Sequence, residues 1–272
     1  VLISLYAKED PDYLKLALKS LLEQTIKPDE IVLVKDGLLT AELDLIVERF
    51  QSAFNSFVII QNKTNLGLSE SLNRGLRICK NDYIARMDTD DICREDRFEK
   101  QINFLTQHRD VDIVGTWAHK IDNNGKVTGD ITVPVEHSEI NELIWTCPFI
   151  HPSVMFKKES ILKAGSYDAS AGPRQDDYDL WFRCAFNHLK FANIPEFLLY
   201  YRFNDDTVKK NNYKVGIARF KVGYKGLRLL KKGPVAYIGV TVPLIRSLLP
   251  YPLNVWFYNA LNKINPRTKR KV

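Results

Sequence analysis

The chain has 272 residues, 45% of them hydrophobic and 26% charged, a balance that buries a core and excludes a disordered or low-complexity protein. Its four cysteines (Cys79, Cys93, Cys147, Cys184) are widely spaced with no CxxC pair, which excludes a zinc ribbon or disulfide framework and points to a reducing compartment. The net charge of +6 conceals a division: residues 207–272 carry 15 Lys and Arg and no acid, leaving 24 bases against all 33 acids in the first 206. A basic tail on an acidic body points to a polyanionic partner, either nucleic acid or anionic lipid.

In chain order, Val1–Tyr6 reads as a short strand and lacks the basic start and small-residue cleavage site of a signal peptide. Tyr13–Leu22 has apolar residues at helical spacing, Ile31–Val34 is a strand, Leu43–Phe50 a helix and Phe57–Ile60 a strand. Ser69–Ile78 is a second amphipathic helix with Ser69 expected as its N-cap. Tyr83–Met87 is a strand followed by an acidic loop, then a helix over Arg97–Leu105 and the strand Val111–Gly115. Strands alternating with helices predict an α/β fold, with a mostly parallel sheet covered on both faces and ligands bound beyond the carboxyl ends of its strands. Residues 116–205 read as a mixed second half, with a hairpin at Asp122-Asn123-Asn124-Gly125 and helices over Glu136–Trp145 and Asp176–His188. No Gly-, Ser- or Pro-rich linker interrupts residues 1–205, which are expected to form one unit with halves 1–115 and 116–205.

Two acidic clusters carry candidate chemistry. Asp88-Thr89-Asp90-Asp91 puts three carboxylates into four residues after a strand, where like charges repel unless a cation sits between them. A solvated helix-capping turn is the plain reading. An EF-hand is excluded because Ile92 and Cys93 stand where an oxygen ligand and Gly are needed. A divalent cation shared with substrate phosphates needs only one or two carboxylates and fits. Asp176-Asp177-Tyr178-Asp179 opens a helix, where acids stabilise the dipole; one of them is also the right group to accept a proton from a sugar hydroxyl.

The order of motifs resembles the inverting family 2 glycosyltransferases, which have the GT-A fold. The matching segments are Val1–Tyr6, Glu30–Gly37, Asn65–Leu68, Tyr83–Asp91, Arg97–Gln101, His151–Phe156 and Asp176–Trp181, nearly continuous over residues 1–205. The resemblance implies that Ser4 and Tyr6 line the nucleotide base and that Asp36 binds uracil or ribose. It further implies that Asp88 contacts ribose or the metal shell, and that Asp90, with Asp91, binds Mn²⁺ or Mg²⁺ bridging the diphosphate. Asp177 would be the catalytic base and Asp176, where the family usually has Glu, would position the acceptor. His151 has two readings, a contact to acceptor or phosphate or a satisfied structural histidine. This chain departs from the family at Lys35, where a first acid often precedes Asp36, and at Asn204, where a His often follows the Tyr-Arg pair.

The implied reaction is transfer of a hexose or N-acetylhexosamine from a UDP-sugar to a lipid-linked (polyprenyl diphosphate) saccharide in surface-polysaccharide assembly. It would run in one inverting displacement with no covalent intermediate. A sugar-nucleotide pyrophosphorylase is the nearest enzymatic alternative, but its Gly-rich, Arg-bearing first loop is replaced here by Ala7-Lys8-Glu9-Asp10-Pro11. A non-catalytic membrane-surface protein is the other alternative. In the tail, residues 207–230 read as a basic helix, and the apolar run Val235–Ile245 is shorter than the roughly 18–20 residues of a membrane span. Tyr251, Trp256, Phe257 and Tyr258 beside bases suit an interfacial layer, so residues 206–272 are expected to sit peripherally on anionic membrane at its cytoplasmic face, or else to pack on the catalytic domain. No nucleic-acid-binding signature appears, and Pro243, Pro250 and Pro252 are expected to break any long recognition helix.

Overall fold

A computed structural model describes residues 1–203 and 212–250, together with Leu253 and Pro266. Four short apolar strands, β1 (Leu2–Leu5), β2 (Ile31–Lys35), β3 (Phe57–Gln61) and β4 (Tyr83–Met87), pair in parallel in the order β3-β2-β1-β4. The helices between them start where the sequence offers caps. In α1 (Pro11–Leu22) the Asp10 carboxylate accepts from the amides of Asp12 and Tyr13, and in α2 (Ala41–Ala53) the Thr40 hydroxyl accepts from Leu43 N. In α3 (Leu68–Ile78) the expected cap is displaced. Gly67, at φ +87°, occupies the cap position, because the amides of Leu66 and Gly67 are bound by Asp36 and the chain must pass through the left-handed region to reach the helix. Ser69 is therefore free to bond elsewhere.

Beyond β4 the sheet becomes mixed. Following β5 (Ile92–Cys93) and α4 (Arg97–Gln107), β6 (Ile113–Ile121) runs six residues past the end expected at Gly115. It pairs with β7 (Val127–Ile131) through the hairpin, where Asp122 Oδ1 accepts from the amides of Asn124 and Lys126 and Gly125 takes φ +79°. The helix expected over Glu136–Trp145 is the shorter α5 (His137–Glu142) followed by a 3-10 turn, Ile144–Thr146, which ends at Cys147 in the left-handed region. β8 (Met155–Lys157) leads into α6 (Lys158–Lys163), and α7 (Asp176–Phe186) precedes β9 (Phe191–Arg202). The full order is β3-β2-β1-β4-β8-β6-β9-β5, with β4–β8 and β6–β8 antiparallel and β6–β9 parallel. The sequence hid β9 because Pro195 interrupts it; the register with β6 shifts near that point.

Strand residues alternate between two cores. Ile3, Leu5, Leu33 and Met87 pack with α1, α2 and α4, while Leu2, Val32, Ile84 and Phe156 pack with α3, α5, α6 and α7. The second core also takes in two C-terminal helices, α8 (Tyr213–Leu229) and α9 (Pro234–Ser247), through Val222, Leu227, Ala236 and Val240. Residues 207–211 of the expected tail helix, and Tyr251, Trp256, Phe257, Tyr258 and Asn204, lie outside the described residues. α9 continues through Pro243 to Ser247, contrary to the break expected there, since the ring costs one hydrogen bond only a single turn from the helix end. The packing is close: a Cβ on Gly226 would run into the Phe182 ring, and one on Gly239 into the Trp145 indole. The core therefore runs continuously across the boundary expected near residue 205.

If that seam supports the fold, Gly226→Val should overpack it and destabilise the protein by about 1–3 kcal/mol in urea unfolding. Gly233→Ala, where a Cβ meets nothing within 4 Å, is the matched control and should change stability little.

Candidate functional site

A cleft of about 1120 Å³ opens beyond the carboxyl ends of β1, β2 and β4, as expected for an open α/β sheet. At its floor is the loop after β4. One carboxylate oxygen from each of Asp88, Asp90 and Asp91 lies within 4.8 Å of the others. Two arginines hold the loop. Arg86 Nη2 pairs with Asp88 Oδ1 at 2.5 Å, and Arg202, at the end of β9, donates its amide to Asp91 Oδ1 (2.8 Å) and its Nε to the Asp90 carbonyl (2.9 Å). Arg202 is itself fixed by the Asp122 carbonyl at 2.6 Å and by the Tyr13 ring, 3.8 Å below its guanidinium.

The clustered charge is costly. Burial, together with the Asp88 carboxylate, pushes Asp90 up to about 6, and burial with Asp90 and Asp88 raises Asp91 well above the usual carboxylate range. Asp91 is fully buried, and its Oδ2 has no hydrogen-bond partner. An orphaned carboxylate oxygen among three acids fits a hard divalent cation of the Mg²⁺ or Mn²⁺ type, which needs few protein ligands when phosphates supply the rest.

The second acidic cluster faces the same cleft from the first turn of α7. Asp176 Oδ1 accepts from the Ser69 hydroxyl, so α3 and α7 are joined at their N-termini; burial raises the Asp176 pKa, partly offset by this bond. Asp177 Oδ1 accepts from the Tyr178 amide (2.8 Å), and its Oδ2 stands 3.5 Å from the Cys147 thiol. Asp179 is structural: it is buried and paired with Arg183 at 2.6 Å one turn along the helix. Thus Asp179 is taken up by an ion pair within the helix, while Asp176 and Asp177 line the cleft.

At the other end, Ser4 and Tyr6 line the cleft after β1. Asp36 also lines it, but both its oxygens shape the neighbouring loop: Oδ1 accepts from Asn62 Nδ2 (2.9 Å) and Leu66 N (2.7 Å), and Oδ2 from Gly67 N (2.9 Å). Lys35 is tied to Asp44 at 2.6 Å. His151 lies between the acidic clusters, its Nε2 2.9 Å from the Tyr167 hydroxyl, and burial with the nearby Arg86 charge holds its pKa well below the usual range. It is therefore neutral at pH 7, a hydrogen-bonding group rather than a cation. Sequence reasoning assigned no role to Arg86 or Arg202, which bear directly on the acidic loop. A lone Arg inside the apolar strand Tyr83–Met87, two residues before the first Asp, was the available signal for Arg86.

The family model described as glycosyl transferase family 2 matches residues 1–165. Among curated relatives, amylovoran biosynthesis glycosyltransferase AmsE of Erwinia amylovora is 38% identical, over 83% of this chain and 86% of its own length. The UDP-Gal:alpha-D-GlcNAc-diphosphoundecaprenol beta-1,3-galactosyltransferase of Escherichia coli is 34% identical, over 82% of this chain and 81% of its own length. Among solved structures, S. aureus TarS 1–349 in complex with UDP-GlcNAc superposes with a TM-score of 0.67 at 16% identity, covering 91% of this chain and 71% of that one.

The raised Asp90 pKa gives a signed expectation. A carboxylate whose folded pKa lies above its unfolded value of 3.8 makes the metal-free protein lose stability as pH rises from about 4 to about 6, with the full cost present above that. Asp90→Asn should therefore stabilise metal-free protein at pH 7.5 by about 1–2 kcal/mol and should not show the rise in melting temperature expected of the wild type in Mn²⁺. Thermal melts of both proteins in chelator and in Mn²⁺ check this.

Proposed function

The chain belongs to glycosyl transferase family 2 and has the GT-A fold, and from that membership we propose that it moves a hexose or N-acetylhexosamine from a UDP-sugar to a lipid-linked diphosphate saccharide in cell-surface polysaccharide assembly. The observation carrying this reading is that one cleft is lined by Asp88 and Asp90, with Asp91 buried beside them in the same carboxylate cluster, and by the Asp176–Asp177 pair, with Ser4, Tyr6 and Asp36 at the strand ends. The named activities of the relatives suggest the setting: a UDP-sugar donor and a diphosphoundecaprenol-linked acceptor in one, and amylovoran biosynthesis in the other.

On this reading Asp90 and Asp91, with Asp88 steadied by Arg86, would be the residues that hold a divalent cation. The cation supplies Lewis-acid stabilisation of the charge that the leaving UDP acquires. Asp177 takes the proton from the attacking acceptor hydroxyl as the bond from the anomeric carbon to the UDP oxygen breaks, which inverts the anomeric centre in one displacement. The Tyr178 amide donates to Asp177 Oδ1 and the Cys147 thiol to Oδ2, so the carboxylate that receives the proton is held on both sides. Asp176, tethered to Ser69, and the neutral His151 orient the acceptor sugar.

The acceptor's lipid makes membrane contact part of the proposal. No helix among the described residues is long and apolar enough to cross a bilayer. α9 instead carries an exposed apolar stripe, Val235, Ile238 and Ile245, with Leu248 beyond it and Arg228, Lys231 and Lys232 just before it. Such a stripe flanked by bases suits peripheral attachment to an anionic surface, here the cytoplasmic face, where UDP-sugars would meet the lipid carrier.

The decisive experiment is a transfer assay with UDP-Glc, UDP-Gal, UDP-GlcNAc and UDP-GalNAc on a lipid-diphosphate sugar, run with wild type and Asp177→Asn. The variant should bind UDP with Mn²⁺ as the wild type does yet lose about 10²–10⁴-fold in rate; a rate within tenfold of wild type removes Asp177 from the base role. For the membrane, Ile238→Ser with Ile245→Ser should abolish the salt-resistant share of binding to anionic vesicles and leave the salt-sensitive share, read by co-sedimentation.

A further inference from the structure

Asp177 stands in the first turn of α7, but a group that meets its Oδ2 comes from another part of the chain: the Cys147 thiol, 3.5 Å away. Of the four cysteines, Cys147 is the one that lines the cleft. We propose that Cys147 is a positioning residue, whose thiol orients the Asp177 carboxylate toward the attacking acceptor hydroxyl. The proposal rests on the reading of Asp177 as the base and names a residue that makes that base effective.

Three features carry it. First, the two groups are matched as donor and acceptor. An ionised carboxylate only accepts, and a thiol is a weak donor. The Tyr178 amide fixes one oxygen of Asp177 and leaves the carboxylate plane free to turn about it; a second donor on Oδ2 removes that freedom. Each carboxylate oxygen can accept more than one bond, so Oδ2 still has room for a proton. A weak donor suits this place, because a strong one would favour the charged carboxylate and reduce its basicity.

Second, the backbone that presents the thiol is strained. Cys147 follows the 3-10 turn Ile144–Thr146 at φ 60° and ψ 69°, in the left-handed region that glycine usually fills. Its amide donates to the Ile144 carbonyl at 3.1 Å, and the Thr146 hydroxyl donates to the Leu143 carbonyl at 2.7 Å, which closes the turn twice. A cysteine held in that conformation has a cost, and such costs gather at functional sites.

Third, both flanks of the turn are tied to the elements that hold the base. The Tyr178 hydroxyl donates to the Trp145 carbonyl at 2.6 Å, so residues 145 and 147 meet residues 178 and 177 as a pair. Beyond Cys147, the Pro148 carbonyl accepts from Asn193 Nδ2 of β9 at 3.2 Å. α8 and α9 close the other side. A Cβ on Gly223 would lie 2.9 Å from the Tyr178 hydroxyl oxygen, and one on Gly239 would strike the Trp145 indole. The thiol is thus delivered to Asp177 by a turn with little room to move.

The test uses the full chain with Mn²⁺, a lipid-diphosphate sugar, and whichever of UDP-Glc, UDP-Gal, UDP-GlcNAc and UDP-GalNAc the wild type transfers fastest. Cys147→Ala should lower kcat by about tenfold and leave donor KM and UDP affinity little changed, since a misaligned base slows the chemistry without loosening binding. Cys147→Ser, which returns a donor, should recover part of the loss. Cys147→Gly suits the backbone and should melt no lower than Cys147→Ala, yet be as slow. In an Asp177→Asn background, Cys147→Ala should change the rate by less than about twofold, because the thiol has no base left to orient. A kcat within about twofold of wild type in Cys147→Ala or Cys147→Gly overturns the proposal, as does a serine variant no faster than the alanine one. An undiminished loss in the Asp177→Asn background also overturns it, because the thiol would then act apart from Asp177. A slow Asp177→Asn beside a fast Cys147→Ala removes the thiol and keeps the base; an Asp177→Asn rate within tenfold of wild type removes both.

Discussion

Three carboxylates held within hydrogen-bonding distance of a single point are the constraint around which this molecule is arranged. Left to themselves, Asp88, Asp90 and Asp91 would spread into solvent, because each ionised neighbour and each step of burial raises the cost of the next charge. The chain prevents this with cations and backbone brought from a distance. Arg86 reaches Asp88 from inside β4, and Arg202 reaches the loop from the far end of β9, more than a hundred residues later in sequence. β9 extends far enough to deliver Arg202 because it pairs with β6 over nearly its whole length, and Arg202 is further anchored by the hairpin turn at Asp122 and by the Tyr13 ring of α1. Strands from the middle of the sheet and from near one edge are thus committed to one loop. The residual repulsion is retained in the fold, and a bound cation relieves it, so the site is least stable in the state that binds best.

The two ends of the cleft are joined by short polar links. Asp36 fixes the Leu66 and Gly67 amides, which sets where α3 begins; because Gly67 rather than Ser69 caps that helix, the Ser69 hydroxyl is available to Asp176. A carboxylate just beyond β2 therefore determines, through one helix N-terminus, where the acidic pair of α7 sits. Beneath the floor a buried network performs the same task for the strands. Arg97 donates to the Arg86 carbonyl at 2.9 Å, and Gln101 donates to the carbonyls of Val114 and Ser153, so β4, β6 and the turn that begins at His151 share one support. A buried arginine with satisfied partners rigidifies the elements it touches, whereas one left unmatched would cost several kcal/mol.

Local pattern made the first half of the fold legible. Short β-branched strands, helix caps at Asp10 and Thr40, and acids placed just after strands each reflect interactions within a few residues. The sequence was less informative wherever a long-range partner overrode local preference. Pro195 argues against a strand, yet β9 runs through it because parallel pairing with β6 on either side outweighs one missing donor. Ser69 reads as a cap, and only Asp36, distant in sequence, shows why it is not. The candidate acids were identifiable because clustered charge is conspicuous. Arg86 offered only the weaker signal of a lone Arg inside an apolar strand, and Arg202 offered none, because a single cation at a strand end looks the same in sequence whether it meets solvent or a carboxylate.

The sequence of the basic tail allowed both attachment to a membrane and packing on the body, and the described residues of α8 and α9 show the packing. Its bases suggested attachment to an anionic surface, and its apolar runs suggested packing on the body. α9 does the packing with Ala236, Gly239 and Val240, which meet α8 and Trp145, while Val235, Ile238 and Ile245 lie on the other side and stay exposed. A helix apolar on both sides is unstable in water unless something covers the second side, and the bases before it favour an anionic cover. The same helix lines the cleft through Val242 and Pro243. On the proposed function, then, one helix would touch the membrane, the catalytic core and the acceptor at once. An acceptor anchored in the bilayer would reach Asp177 by moving across the surface of α9 rather than through bulk water. Because α8 and α9 share their core with α7, the distance from that surface to the proposed base is set by packing.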